Sequence, residues 1–257
     1  MSEQIHDIAI VTGAGSPEGI GMAAALRLGH SGMRVVVTST THRIHERAAE
    51  LREAGVEATG IVADLTKQHE VDNLLAVANK TFGAPAVLVN NAGMTSLSSP
   101  DSPASIDDIS VDQWRLSIDR NLTTALRMTR AVLPAMRRAR FGRIVNVASI
   151  SGPVMAYTGD VAYHAAKAGM LGLTRASALD VASSGITINA VAPGWIATPS
   201  SSEHELTMGR ATPVGRSGTP REVAATIAFL ASVDASYITG QLIVVDGANS
   251  INEERGV

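Results

Sequence analysis

Short runs of β-branched and aliphatic residues alternate along this chain with longer stretches rich in Ala, Leu, Arg and Glu. Strand-length runs fall at Ile8–Thr12, Arg34–Thr38, Ala58–Ala63, Val87–Asn90, Arg143–Ala148, Thr187–Ala192 and Leu242–Val245. Helix-length segments lie between them, near 20–31, 43–54, 67–81, 111–139, 161–183 and 220–232. This βαβ alternation predicts an α/β fold: a Rossmann-like, doubly wound parallel sheet of about seven strands with helices on both faces. No Pro/Gly/Ser linker and no internal repeat interrupts the pattern, so residues 1–257 read as one domain.

Two segments break the rhythm. Met94–Ser110 is a Ser/Pro/Asp stretch after the fourth strand, and Ile196–Arg216 follows the sixth and holds a short helix signal at Glu203–Gly209. Both follow the carboxyl ends of strands, where open α/β sheets bind ligands. The second, residues 196–216, is the expected substrate lid.

Composition narrows the classes. The 45% hydrophobic and 18% charged fractions suit a globular chain, and with 3% aromatic residues the packing must rely on Ala, Val, Leu and Ile. A net charge of −3 gives no reason to expect nucleic acid or an anionic membrane as partner. With no cysteine, disulfides and thiolate metal sites are excluded, and no metal is expected. The polar start, Met1 to His6, has no signal-peptide pattern. The apolar stretch Val161–Ala182 carries Lys167, Arg175 and Asp180, so it reads as no membrane span. A cytoplasmic address is expected.

Candidate chemistry begins at the first strand. Gly13, Gly15, Ser16, Gly19, Ile20 and Gly21 form a strand–turn–helix in which bare backbone can approach a pyrophosphate at a helix N-terminus. The second strand ends in Ser39, Thr40, Thr41, His42 and Arg43, with no carboxylate to hold a ribose diol. Hydroxyls beside a guanidinium suit a ribose 2′-phosphate, which favours NADP over NAD; the bland reading is a solvated helix start. Asp64, before Leu65, reads either as an acceptor for an adenine amino group or as a helix N-cap. Asn90-Asn91-Ala92-Gly93 ends the fourth strand with small residues that let a chain pass under a ribose, and with amides that tie neighbouring strands.

Tyr163 and Lys167 stand one helical turn apart, and Lys167 is one of three lysines in the chain. An ammonium beside a phenol favours the phenolate, drawing the tyrosine below its usual value of about 10. That makes Tyr163 a proton donor and acceptor near neutrality. Ser149, at the end of the fifth strand, adds a hydroxyl, and Asn121, inside the segment 111–139, an amide.

With these residues in hand, the chain resembles the short-chain dehydrogenases/reductases from Thr12 to Gly247. Matching the family's order are the glycine loop, Asp64, Asn90–Gly93, Asn121, Ser149, Tyr163-x-x-x-Lys167, Pro193-Gly194 with Thr198, and Gly240-Gln241 through Val245-Asp246-Gly247. The resemblance implies hydride exchange between a nicotinamide, NADP or NAD, and a ketone/secondary-alcohol pair. Tyr163 would be the general acid/base, Ser149 a hydrogen bond to the same oxygen, Lys167 the holder of the nicotinamide ribose, and Asn121 the anchor of a water. Thr198 and the backbone from Pro193 through Gly194 and Ile196 would grip the carboxamide. A shift of roughly three pKa units at Tyr163 corresponds to about 4 kcal/mol of preference for phenolate.

Two departures stand out. Five residues, Ala14 to Glu18, separate Gly13 from the Gly19/Gly21 pair where relatives usually have three, and Ser149 precedes Tyr163 by one residue more than usual. The enoyl-reductase branch also has a longer loop, but its tyrosine and lysine are more widely spaced. A catalytically silent NAD(P)-binding scaffold or redox sensor is the alternative reading, and a Rossmann-like methyltransferase leaves Tyr163 and Lys167 without a role. Open substrates are a 3-oxoacyl thioester, a sugar or polyol, a steroid or a small cyclic ketone. The segment 196–213 lacks the basic cluster a phosphopantetheine arm would want, with Arg210 and Arg216 the nearby cations. Met94, Met155, Tyr157, Trp195 and Met208 are candidates for an apolar pocket wall. By resemblance the chain forms a homotetramer.

Overall fold

A computed structural model describes residues 7–93 and 103–253. Met94 and the first part of the Ser/Pro/Asp stretch lie outside the described residues. Seven strands, β1 (Ile8–Thr12), β2 (Arg34–Ser39), β3 (Ala58–Val62), β4 (Val87–Asn90), β5 (Gly142–Val147), β6 (Ile186–Pro193) and β7 (Leu242–Val245), form one parallel sheet. Their order is β3-β2-β1-β4-β5-β6-β7, so the chain reverses its winding between β1 and β4. That reversal opens a crevice at the carboxyl ends of those strands.

Strand residues of alternate parity feed two cores, as a period of two requires. Val11, Val37, Val89 and Val145 pack with helices α1 (Ile20–His30) and α2 (Ile44–Glu53) on one face. Ile10, Val36, Leu88 and Ile144 pack with α3 (Gln68–Thr81) on the other.

The predicted helix over 111–139 is instead three pieces. Helix α4 (Val111–Ile118) runs into a π-helical turn (Asp119–Thr123), and α5 (Thr124–Ala139) follows. Asn121 lies in the π-helical turn, fully buried, and its Nδ2 donates to Ser117 O at 3.1 Å. An i→i+5 turn rotates one residue out of the α-helical phase, a local expansion common at functional sites. Helix α6 (Val161–Val181) begins with Asp160 accepting from Tyr163 N at 3.4 Å. The short helix signal is α7 (Glu203–Arg210), closed by a Ser202/Glu205 capping box, and α8 (Pro220–Ala231) completes the first layer.

A polar seam fastens α6 to the sheet. Asn90 Nδ2 donates to Asn146 Oδ1 at 2.8 Å, Asn146 Nδ2 to Thr174 Oγ1 at 2.8 Å, and Thr174 Oγ1 to Met170 O at 2.8 Å. Asn90 therefore serves structure, as the sequence allowed.

Candidate active site

The crevice at the carboxyl ends of β1 to β4 is a cleft of about 890 Å³. Its floor is Gly13, Gly15, Ser16 and Pro17 after β1 and Asn91, Ala92 and Gly93 after β4. The two loops are stitched together: Asn91 Nδ2 donates to Thr12 O and Gly13 O, each at 3.0 Å, and Thr12 Oγ1 accepts from Asn91 N and Ala92 N at 3.0 and 2.9 Å. Gly13 has φ +68°, and a Cβ there would stand 2.7 Å from Ala92 Cα, so only glycine fits. At Gly21 a Cβ would meet Asn91 Nδ2 at 2.6 Å. The inserted residues form a tight turn in which Gly19 N donates to Ser16 O at 3.3 Å, leaving Ser16 and Pro17 on the cleft. Gly19 caps α1 without a side-chain bond, so the first N–H groups of that helix keep their capacity for an anion.

Ser39, Thr40 and Arg43 line one wall, and Arg43 makes no ion pair among the described residues. Asp64 and Leu65 line the next. Asp64 is not the cap of α3, whose N-cap position is Lys67. Its Oδ1 accepts from Thr66 N and Thr66 Oγ1 at 3.0 and 2.6 Å, and Oδ2 pairs with Lys67 Nζ at 3.3 Å. Those hydrogen bonds and the Lys67 ammonium outweigh burial and hold its carboxyl below the usual range.

Thr41, named with the hydroxyls after β2, and Pro199 and Ser200, inside the segment 196–216, also line the cleft; the sequence reading singled out none of Pro17, Thr38, Ala63, Thr66, Lys67, Glu70, Leu116, Arg120 and Thr124 as lining. Leu116, Arg120 and Thr124 are spaced by four and form one stripe facing the cleft, a periodicity visible in the sequence whose residue types announce nothing. Arg120 Nη1 is buried there without a hydrogen-bond partner.

The candidate catalytic residues Asn121, Ser149, Tyr163 and Lys167 do not line the cleft itself. Tyr163, Lys167 and Asn121 are 8%, 4% and 0% exposed. Lys167 Nζ donates to Val147 O at 3.0 Å and lies 5.6 Å from the centre of the Tyr163 ring. A Cβ on Gly93 would stand 2.7 Å from Asn121 Oδ1 and 3.6 Å from Lys167 Nζ. Gly93 thus joins the cleft floor to the buried cluster. Ser149, just after β5, accepts from Ser151 N at 3.0 Å through its Oγ.

Gly19, Ile20, Gly21, Pro193, Gly194, Ile196 and Thr198 are not part of the cleft wall. Pro193 ends β6, and Gly194 is pressed against Asp246, where a Cβ would come within 2.6 Å. Ile196 bridges to Gly218, and Thr198 Oγ1 lies 3.1 Å from Ser200 Oγ, which does reach the cleft.

Burial pushes the Lys167 ammonium down to about 8. The bare protein therefore qualifies the sequence argument: the cation that should acidify Tyr163 is itself half discharged near pH 8. Next to it, His164 Nε2 accepts from Tyr157 N at 3.1 Å while Nδ1 faces Asp160 O at 2.6 Å. A backbone donor at one nitrogen and a backbone acceptor at the other place the proton on Nδ1. Burial raises the Tyr157 hydroxyl above its ordinary value.

A family model described as enoyl-(acyl carrier protein) reductase matches residues 13–248. The 3-oxoacyl-[acyl-carrier-protein] reductase of Pseudomonas aeruginosa is 40% identical over 250 residues, covering 93% of this chain and 96% of the relative. A cyclohexanol dehydrogenase of an Acinetobacter species is 39% identical over 251 residues, covering 96% and 97%. Among solved structures, an actinorhodin polyketide ketoreductase with NADPH superposes with TM-score 0.88 at 35% identity, covering 98% of this chain and 100% of that one.

Burial of Lys167 sets a pH signature. Its folded pKa lies below the unfolded value of about 10.4, so between the two the unfolded chain binds more protons and stability rises with pH. Lys167→Met is expected to match or exceed the wild-type melting temperature near pH 7. That margin should narrow as pH passes from 8 towards 10, measured by thermal unfolding without cofactor; a margin that widens instead would contradict the buried, discharging amine.

Proposed function

Because the chain belongs to the short-chain dehydrogenase/reductase family of oxidoreductases, we propose that it interconverts a ketone and a secondary alcohol with NAD(P), Tyr163 moving the proton. The observation that carries this reading is the approach of Asn121 and Lys167 to Gly93 on the cleft floor, with the Tyr163 ring 5.6 Å from Lys167 Nζ. The cleft suits a dinucleotide: its glycine floor admits close backbone approach, α1 offers uncapped N–H groups, and its wall holds a buried, unpartnered guanidinium nitrogen. When bound, the nicotinamide supplies or accepts the hydride.

This chain's residues do the rest. Gly13, Gly15, Ser16 and the α1 start from Gly19 through Ile20 and Gly21 bind the pyrophosphate. Asp64 and Leu65 border the adenine, Asn91, Ala92 and Gly93 pass under the ribose, and Pro193, Gly194, Ile196 and Thr198 hold the carboxamide. Tyr163 Oη gives a proton to the carbonyl oxygen in reduction or takes it from the alcohol in oxidation. Ser149 Oγ donates to the same oxygen. Lys167 holds the ribose hydroxyls and, while charged, stabilises the phenolate; Asn121 anchors a water that reconnects it to solvent. A silent scaffold would have no use for an ammonium buried at such cost beside a phenol, so catalysis is the better reading.

Ser39, Thr40 and Arg43, with no carboxylate at the end of β2, support NADP over NAD, and the ketoreductase solved with NADPH points the same way. The relatives' names span a 3-oxoacyl-[acyl-carrier-protein] and a small cyclic alcohol at nearly equal identity, so the class proposed is the ketone/secondary-alcohol pair itself. Residues 196–216 act as the lid, since Pro199 and Ser200 already border the cleft. No helix of the described residues is long and apolar enough to cross a membrane, and we place the protein in the cytoplasm as a homotetramer.

Tyr163→Phe is expected to leave NADPH affinity within roughly twofold while turnover on a ketone panel falls by about three orders of magnitude. Undiminished turnover would remove Tyr163 from the mechanism. Arg43→Ala should weaken NADPH binding about tenfold and leave NADH nearly unchanged; equal losses would end the NADP assignment. Light scattering should return four chain masses, and a monomeric mass would refute the tetramer.

A further inference from the structure

Three cationic side chains border the cleft: Arg43, Lys67 and Arg120. Lys67 is engaged, pairing with Asp64 Oδ2 at 3.3 Å and with Glu70 Oε1 at 3.0 Å. Arg43 stands at the exposed start of α2. Arg120 differs from both. It rises from the π-helical turn, immediately before Asn121, between Leu116 and Thr124 on the wall facing the glycine floor. Its guanidinium makes no hydrogen bond and no ion pair among the described residues, and Nη1 is shut away from solvent. The backbone of the same residue is satisfied, its carbonyl accepting from Thr124 Oγ1 at 2.7 Å.

A charged donor that loses water without gaining an acceptor is a defect that native proteins rarely keep without a purpose. The residue that carries this defect borders the cleft. An oxyanion entering the cleft would supply the missing acceptor, and the planar fork of arginine suits phosphate oxygens better than any neutral group. We infer that Arg120 is a recognition residue for the dinucleotide, donating from its guanidinium to a phosphate oxygen of the adenosine half. The inference rests on the proposed NAD(P) site but adds a contact that neither the glycine loop nor Arg43 supplies. The phosphate is either in the pyrophosphate bridge or on the 2′ carbon; the chemistry is the same, and the choice of dinucleotide separates them.

Calorimetric titration of the full chain with NADPH and NADH, and adenosine binding by NMR, test it in wild type, Arg120→Met and Arg120→Lys. Arg120→Met is expected to lose roughly tenfold or more in affinity for a phosphate-bearing ligand, Arg120→Lys to recover part of it, and adenosine to be unaffected. Loss on NADPH and NADH alike assigns the pyrophosphate; loss on NADPH alone assigns the 2′-phosphate. The dependence of affinity on salt should flatten in Arg120→Met. Without ligand, that variant should melt at or above the wild-type temperature, while the NADPH-induced rise shrinks. Unchanged dinucleotide affinity in Arg120→Met would overturn the inference, as would an equal loss for adenosine, which would make the residue a purine or packing contact. Wild type binding neither dinucleotide would instead overturn the proposed function itself and take Arg120's role with it.

Discussion

The polar seam that fastens α6 to the sheet fixes where everything else in the site stands. Asn90, Asn146 and Thr174 form a directed chain of hydrogen bonds through an otherwise apolar interior, ending on Met170 O within α6. Apolar packing alone lets a helix slide or rotate on a sheet at little cost, because contacts among Ala, Val and Leu are interchangeable. A buried amide has no such freedom: displaced by an ångström, it leaves a donor unpaired at about 1–3 kcal/mol. The seam therefore specifies register more than it adds stability. It also sets Tyr163 and Lys167, which lie N-terminal to Thr174 on the same helix.

The consequence is a lysine held where its charge is uncomfortable. Val147 O is its hydrogen-bond acceptor, and burial draws the ammonium down to about 8. A freely exposed lysine would stay charged but would be screened too well to act on a phenol. A deeply buried one acts strongly but tends to discharge. The chain sits between these limits, and the convergence of Asn121 and Gly93 on the same point keeps polar groups close to the amine. Under the proposed mechanism, stability is given up where a responsive charge is used.

Much of this was legible in the sequence. The strands showed because their residues alternate between two cores, and the glycine loop showed because Gly13 and Gly21 occupy positions where a Cβ would collide with Ala92 or Asn91. The Tyr163–Lys167 pair showed because helical spacing brings i and i+4 together. The π-helical turn at Asp119–Thr123 did not show, since one extra residue per turn leaves no mark on a hydrophobic pattern that is read to the nearest turn. Without it the segment 111–139 reads as one helix. Asp64 was ambiguous for a different reason. An acid ahead of a helix caps either the helix or a turn before it, and only the position of Lys67 decides between them.

Overall similarity does not select a substrate, because relatives of nearly equal identity, 40% and 39%, carry names as different as 3-oxoacyl-[acyl-carrier-protein] reductase and cyclohexanol dehydrogenase. The fold is shared with the relatives, and on a shared fold selectivity generally belongs to the loops. One such loop is tied to the machinery itself. Tyr157, about half exposed, is held by its backbone N–H to His164 Nε2 and by its hydroxyl to Asp160 Oδ2 at 3.4 Å. Asp160 in turn caps α6 at Tyr163 N. The stretch leading into α6 cannot shift to admit a different substrate without loosening the cap of the helix that presents Tyr163. Among the described residues, the segment 196–216 makes no hydrogen bond to α6; outside itself it bonds to Ser217, Gly218, Glu222 and Gly247. Variation in that segment would alter the border of the cleft at Pro199 and Ser200 at little cost to its floor, as the proposed lid requires.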